Sequence, residues 1–275
     1  MPIRFTKMHG IGNDFVVVDW REDAGHVPNT ARIVALSNRH TGIGFDQLLS
    51  IEPARDPSCA FYYGIWNADG TPSGQCGNGV RCVAAWLDRE GAIERNVPVR
   101  LESPSGPVTV RVLGEGIVTV DMGEPDFDPA HVPLDRPPHA TYTLEADGED
   151  VSFGAVSMGN PHAVVFVDDV ADPRVDRLGP LLTHHPLFPR GANVGFAQRL
   201  GAGHLRLRVH ERGSGWTQAC GTGACAAAAV AHALGLTGPV VDVDLPGGRL
   251  TIEWHGPGHT LWMTGPAAFV FEGEV

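Results

Sequence analysis

CGNGVRC, Cys76–Cys82, is answered 144 residues later by CGTGACA, Cys220–Ala226. Both stretches put a cysteine directly before a glycine-rich turn and a helix-forming run. Two further landmarks recur in the same order. GFDQ at Gly44–Gln47 returns as GFAQ at Gly195–Gln198, an offset of 151. GND at Gly12–Asp14 has its counterpart in the GNPH of Gly159–His162, and each precedes a short apolar strand ending in an aspartate, Asp19 or Asp168. Ordered self-similarity of this kind marks a duplicated unit. The chain therefore reads as two homologous halves that meet near Asp121, just ahead of the linker-like GEPDFDPAHVP.

Outward from the two motifs, the pattern gives each half mixed strands and one principal helix. Val80, Val83, Ala84 and Leu87 fall at i, i+3, i+4 and i+7, which predicts a helix from about Asn78 to Glu90 with Gly91 to stop it. ACAAAAVAHAL after the second motif is rich in the strongest helix former and ends at Gly235. Its small side chains would let that helix sit deep inside a curled sheet. Leu205, Leu207 and Val209 alternate with Arg206 and Arg208, a half-buried strand, and Cys59–Trp66 reads as a strand entering a loop at Asn67. With 35 glycines and 22 prolines marking many turns, a strand-rich α+β fold is favoured over a helical bundle.

Composition narrows the function classes. The net charge is −12, with no Lys/Arg cluster to break it, which argues against a nucleic-acid partner. An anionic substrate would have to be held by local dipoles and a few placed cations. Met1–Asp19 has no signal-peptide pattern, its apolar run being only Phe15–Val18, and Cys225–Ala231 is far too short to span a bilayer. Five cysteines in a chain this long do not form a disulfide framework, so a reducing cytoplasm is expected. The spacings CxxxxxC and CxxxxC, with no His pair nearby, are poor for zinc, and no metal site is expected.

Cys76 and Cys220 carry the chemistry. A helix N-terminus offers unpaired N–H groups and about half a positive charge, so a cysteine there has a lowered pKa and can reach the thiolate. The N–H groups of Gly77 and Asn78, and of Gly221 and Thr222, could hold a substrate carboxylate. Two pseudo-symmetric halves would set the two cysteines face to face across a cleft. Inversion at carbon needs such a pair, one thiolate removing a proton from one face and one thiol returning a proton to the other. Cys59, Cys82 and Cys225 lack the paired glycine context and read as packing residues.

KMHGIGNDFVVVD (Lys7–Asp19), NADGTPSGQCGNGVRC (Asn67–Cys82), MGNPHAV (Met158–Val164), FPRGANVGF (Phe188–Phe196) and ERGSGWTQACGTGACA (Glu211–Ala226) together resemble the signatures of the diaminopimelate epimerase family, in its order and over nearly the whole chain. The resemblance implies two lobes, each a mostly antiparallel, β-barrel-like sheet around a central helix: 1–120 carrying Cys76, 121–265 carrying Cys220, and a C-terminal strand, 266–275, returning to the first lobe. It implies Cys76 and Cys220 as acid and base, no pyridoxal phosphate or other cofactor, and conversion of LL-diaminopimelate to the meso form for lysine and peptidoglycan synthesis. By motif match, Asn13, Gln47, Asn67, Asn160, Asn193, Glu211 and Arg212 would line the substrate site, with His162 behind them. The chemistry suits a double zwitterion. Arg212 offers a planar fork to a distal carboxylate, the asparagines can accept from ammonium or donate to carboxylate, and Glu211 can neutralise an ammonium.

Expected partners are the small-molecule substrate and, in a homodimer, a second copy; neither nucleic acid nor membrane is expected. Thr71–Gln75 lacks the acidic residue often found in that loop of the family, and Trp216 is bulkier than expected, so both are expected to bear on loop closure or the entrance. The nearest rival is a proline or hydroxyproline racemase-type enzyme of the same fold, which would not need a distal anchor such as Arg212. An isomerase of the phenazine-biosynthesis type would not need both cysteines. A non-catalytic amino-acid-binding or thiol-redox protein is the rival from another class.

Overall fold

The computed structural model describes residues 2–22 and 29–275. Of the first lobe expected over 1–120, residues 1 and 23–28, including the Met1 that begins the N-terminal stretch, lie outside the described residues. The chain divides into two compact units, Met1–Asp121 with Thr264–Val275, and Met122–Met263.

In the first unit β1 (Arg4–Gly10) and β2 (Asn13–Asp19) form an antiparallel pair. α1 (Thr30–Ser37) follows, its N-cap Asn29 side chain accepting from the Arg32 N–H. β3 (Gln47–Pro53) lies parallel to β2, and β4 (Phe61–Asn67) antiparallel to β3. α2 (Gly77–Arg89) leads to β5 (Val99–Ser103), parallel to β4, and then to the antiparallel β6 (Gly106–Gly114) and β7 (Ile117–Asp121). α2 is buried along Gly77–Leu87 and packs on β1, β2, β3, β6 and β7, so the sheet curls around it. A second apolar cluster, with Val16, Val18, Ile33 and Phe45, seats α1.

The second unit repeats the scheme. β8 (Tyr142–Ala146), β9 (Glu149–Ser157) and β10 (Pro161–Val167) run antiparallel in turn. After α3 (Pro173–Thr183), β11 (Asn193–Gly201) lies parallel to β10, and β12 (His204–Glu211) antiparallel to β11. The short β13 (Gly215–Thr217) precedes α4 (Gly221–Ala233), then β14 (Val240–Leu245), parallel to β12, and β15 (Gly248–Glu253), antiparallel to β14. From β1 to β6, leaving the helices aside, the pairing senses run antiparallel, parallel, antiparallel, parallel, antiparallel. The same order holds for β9, β10, β11, β12, β14 and β15. The chain closes with β16 (Trp262–Pro266) and with β17 (Ala268–Glu274), which lies antiparallel to β1.

The α+β fold is as expected from the sequence, with antiparallel pairs outnumbering parallel ones in both units. The register corrects one landmark of the repeat. Phe15, two residues after Asn13, pairs with Gln47; His162, two residues after Asn160, pairs with Asn193. The structural counterpart of Gln47 is therefore Asn193, and GFAQ is a chance echo of GFDQ lying further along β11. Two shorter helices, α1 and α3, add to the one principal helix expected in each half. α3 had legible signals: Asp172 caps it, Pro173 opens it, and Val175, Leu178 and Leu182 turn inward.

Candidate active site

The two units build equivalent sets of side chains from equivalent elements. Gly12 at φ 91° and Gly159 at φ 83° make the turns that lead into Asn13 and Asn160, a conformation that side chains with a Cβ rarely adopt. Gln47 opens β3 opposite Asn67 at the end of β4. In the second unit Val194 faces His210, which brings Asn193 level with Glu211 at the end of β12. Nine residues beyond Asn67 comes Cys76, and nine beyond Glu211 comes Cys220, each the N-cap of its principal helix. Asn13, Gln47, Asn67 and Cys76 thus match Asn160, Asn193, Glu211 and Cys220.

In the first unit Cys76 is half-buried. Its Sγ accepts from the Gly79 N–H at 3.4 Å and donates to Asn13 Oδ1 at 3.7 Å. Asn13 Oδ1 also accepts from Asn78 Nδ2 at 3.2 Å. Asn78 in turn takes Arg81 Nη2 on its Oδ1 at 2.8 Å, and Arg81 is completely buried. Gln47 Nε2 donates to Asn67 Oδ1 at 2.9 Å, and Asn67 Nδ2 donates to Thr71 Oγ1 at 3.1 Å. Gln47 Oε1 is buried and has no hydrogen-bond partner among the described residues.

In the second unit Cys220 is 4% exposed. Burial first, and then the negative charge of Glu211, push its thiol well above the ordinary cysteine value; the Thr222 hydroxyl and the Gly223 N–H oppose this only in part. That corrects the expectation of a lowered pKa. Helix-end dipoles are worth little against full desolvation and a neighbouring carboxylate. Thr217 Oγ1 donates to Glu211 Oε1 and holds that carboxylate. Asn160 Nδ2 donates to Thr222 Oγ1 at 3.3 Å, and Thr222 Oγ1 lies 3.7 Å from Cys220 Sγ. His162 Nε2 lies 3.0 Å from Asn160 Oδ1. Its burial, helped by the charge of Arg212, lowers the imidazole to about 3, so it is neutral at any working pH. Asn193 Oδ1 accepts from the Arg212 backbone N–H at 2.8 Å, while Arg212 Nη1 donates to the Arg190 carbonyl at 2.9 Å. Gly221 opens α4 directly after Cys220.

The family model for diaminopimelate epimerase matches residues 5–127 and 154–270. The chain belongs to the diaminopimelate epimerase family. The diaminopimelate epimerase of Stutzerimonas stutzeri (strain A1501) is 49% identical, with 100% of this chain and 99% of that protein covered. That of Ectopseudomonas mendocina (strain ymp) is 50% identical over the same shares. Among solved structures, a hydroxyproline epimerase from Agrobacterium vitis with bound trans-4-OH-L-proline has a TM-score of 0.70 at 19% identity, covering 100% of this chain and 92% of that one. A PhzF-family phenazine biosynthesis protein from Bacillus anthracis has 0.69 at 14%, covering 100% and 99%. At those identities the likeness is one of fold.

Trp216 is half-buried and packs against the apolar core of its unit. Its ring packs at 6.0 Å from Phe196 and 5.1 Å from His210, with the Arg208 guanidinium 4.4 Å over it. These contacts give Trp216 a packing role. Thr71, in the other departing loop, ties Asn67 to Asp69, whose carboxylate takes the Thr71 hydroxyl at 2.6 Å. Cys82 and Cys225 are wholly buried and Cys59 nearly so; burial pushes the Cys82 thiol up to about 12. Sequence reasoning missed Asp46, which holds Asn13, and the contact of Glu211 with Cys220. The nine-residue spacing shared by Asn67–Cys76 and Glu211–Cys220 marks Glu211 as the counterpart of Asn67. Among the described residues no helix is long and apolar enough to cross a membrane, and no group of three or more His, Cys, Asp or Glu could hold a metal ion.

Proposed function

We propose that this chain epimerises LL-2,6-diaminopimelate to the meso isomer without a cofactor, in lysine and peptidoglycan precursor synthesis, with Cys76 and Cys220 as the acid–base pair. The observation that carries the reading is the duplication itself: each unit caps its principal helix with a cysteine and sets an asparagine at the same turn beside it. Relatives near 50% identity over the whole chain supply the substrate class.

One cysteine takes the α-proton and the other returns a proton to the opposite face, which leaves the carbon inverted and the pair ready for the reverse direction. The N–H groups of Gly77, Asn78, Gly221 and Thr222 suit a substrate carboxylate and the charge that spreads into it on deprotonation. A Cys220 held protonated is suited to giving a proton, and the Glu211 carboxylate beside it is suited to receiving that proton when Cys220 works as base. Arg212 supplies the fork for the distal carboxylate, and Asn13, Gln47, Asn67, Asn160 and Asn193 the polar contacts for the remaining groups. Behind them, neutral His162 holds Asn160.

The test is direct. Purified protein is incubated with LL-diaminopimelate in D2O with no added cofactor, and the product is resolved by chiral chromatography and mass. Meso product carrying one solvent deuterium at the inverted carbon is expected. Recovery of unlabelled LL substrate would end the proposal.

A further inference from the structure

Asn13 and Asn160 are structural equivalents, yet their amides point in opposite senses. In the second unit Asn160 Oδ1 lies against His162 and Nδ2 faces Thr222. In the first unit Asn13 Nδ2 is committed to Asp46 Oδ2 at 2.8 Å, so Oδ1 faces Cys76 and Asn78. A carboxylate can only accept, so whichever atom of Asn13 meets Asp46 must be the amide nitrogen. At the other end Arg81 can only donate, which fixes Asn78 with its own nitrogen toward Asn13. The result is a directional chain, Arg81 to Asn78 to Asn13 to Asp46, with a buried cation at its head and an anion at its tail.

We propose that Asp46 is a positioning residue that orients Asn13, so that Cys76, whenever it carries its proton, meets a hydrogen-bond acceptor. The inference rests on Cys76 as an acid–base residue. An acceptor fixed at Oδ1 aims the S–H of Cys76, whereas a flipped amide would offer the sulfur a donor and set two NH2 groups against each other at Asn78. Asp46 is itself well held: its Oδ2 accepts from the Asp14 N–H at 3.2 Å and its Oδ1 from Arg39 Nη2 at 2.9 Å. The ion cluster does not depend on it, because Arg39 also grips both oxygens of Asp14, at 2.9 and 2.7 Å. Asp46 is half-exposed, so replacing it leaves no cavity in the core.

The experiment is a double-mutant cycle of Asn13→Ala and Asp46→Ala, with Asp46→Asn as the conservative variant and Cys76→Ala as the reference. With Asn78 still in place as half of the lock, Asp46→Ala is expected to lower kcat/KM about tenfold. Asp46→Asn, which keeps an acceptor oxygen for Asn13 but loses the charge, should recover most of it. In the Asn13→Ala background Asp46→Ala should have no further effect. Alkylation of Cys76 by iodoacetamide, followed by peptide mass mapping, should quicken about threefold or more in Asp46→Ala, because a donor at the sulfur favours the thiolate. Cys220 alkylation should stay as it was. Additive losses in the cycle, or an Asp46→Asn as impaired as Asp46→Ala, would overturn the positioning role while leaving the two-cysteine reading intact. An active Cys76→Ala would overturn that reading instead. Equal thermal melting of all variants is the control for folding.

Discussion

The Glu211 carboxylate lies against the Cys220 thiol and, after burial, is the largest cause of its raised pKa. Replacing Glu211 by Gln removes that charge but not the burial. Cys220 should then titrate at lower pH than in the parent and alkylate faster at pH 8. Turnover should nevertheless fall about 100-fold, since the group suited to take the Cys220 proton is gone. Activity and an alkylation profile both matching the parent would show that the Glu211 carboxylate takes no part in the proton transfer.

Cys76→Ala and Cys220→Ala should each lower turnover by about 1000-fold or more, because alanine neither removes nor returns a proton. Cys82→Ala and Cys225→Ala should keep most of the activity and lose about 1–2 kcal/mol of stability from packing. Chiral assay and urea unfolding of the four variants separate the two groups. A Cys220→Ala enzyme with a tenth of parental turnover would break the two-base assignment.

Arg212→Lys keeps the charge but not the planar fork, and loses the contact of Nη1 with the Arg190 carbonyl. KM for diaminopimelate should rise about tenfold or more, with a smaller change in kcat. Unaltered kinetics would remove Arg212 as the distal anchor.

Asp14 gives the first unit an acid-sensitive part. Burial raises its pKa, but hydrogen bonds from Arg39 and Lys7, and their charges, outweigh it and bring the value from 3.8 to about 2. A carboxylate with a depressed folded pKa stabilises the fold above its unfolded pKa. That contribution is lost as the pH falls from about 4 toward 2. Solvent at the carboxylate trims it to about 1 kcal/mol. Urea midpoints measured from pH 6 to pH 2 should therefore show a step in the parent that Asp14→Asn lacks. Parallel curves would remove Asp14 as its source.

Gly179, inside α3, reverses a common rule. Gly→Ala in a helix interior usually gains about 0.5–1 kcal/mol. Here a Cβ would stand 2.6 Å from Cζ2 of Trp216 and 3.2 Å from the Cβ of His210. The rigid ring cannot swing away as a flexible chain end could, so Gly179→Ala should cost about 1–3 kcal/mol. In a Trp216→Ala background the same change should be neutral or stabilising. Differential scanning calorimetry of the four proteins reads the sign.

What the sequence made legible was whatever depends on local pattern. The apolar spacing of Val80, Val83, Ala84 and Leu87 was enough for α2, and the Leu205–Val209 alternation for β12. A cysteine heading a helix once in each half, with the motifs around it, was enough to place the chain in its family. Strand register was out of reach, because it is set by partners far apart in sequence. GFAQ therefore looked like the partner of GFDQ until His162 was found opposite Asn193. The protonation of Cys220 was equally hidden. A helix N-terminus argues for a thiolate, and only the depth of burial and the approach of Glu211 decide otherwise. Asp46 stayed silent because its effect on Cys76 passes through an amide whose direction no pattern encodes.

The antiparallel pairing of β17 with β1 sets the longest loop that folding has to close. Arg4 stands opposite Glu274, a separation of 270 residues. The second unit is drawn from one continuous stretch, Met122–Met263, and its strands meet over much shorter separations. Closing a longer loop costs more entropy and delays the contact that rewards it. The half that carries Cys220 should therefore complete its sheet first, and the half that carries Cys76 should gain the edge formed by β17 late in folding.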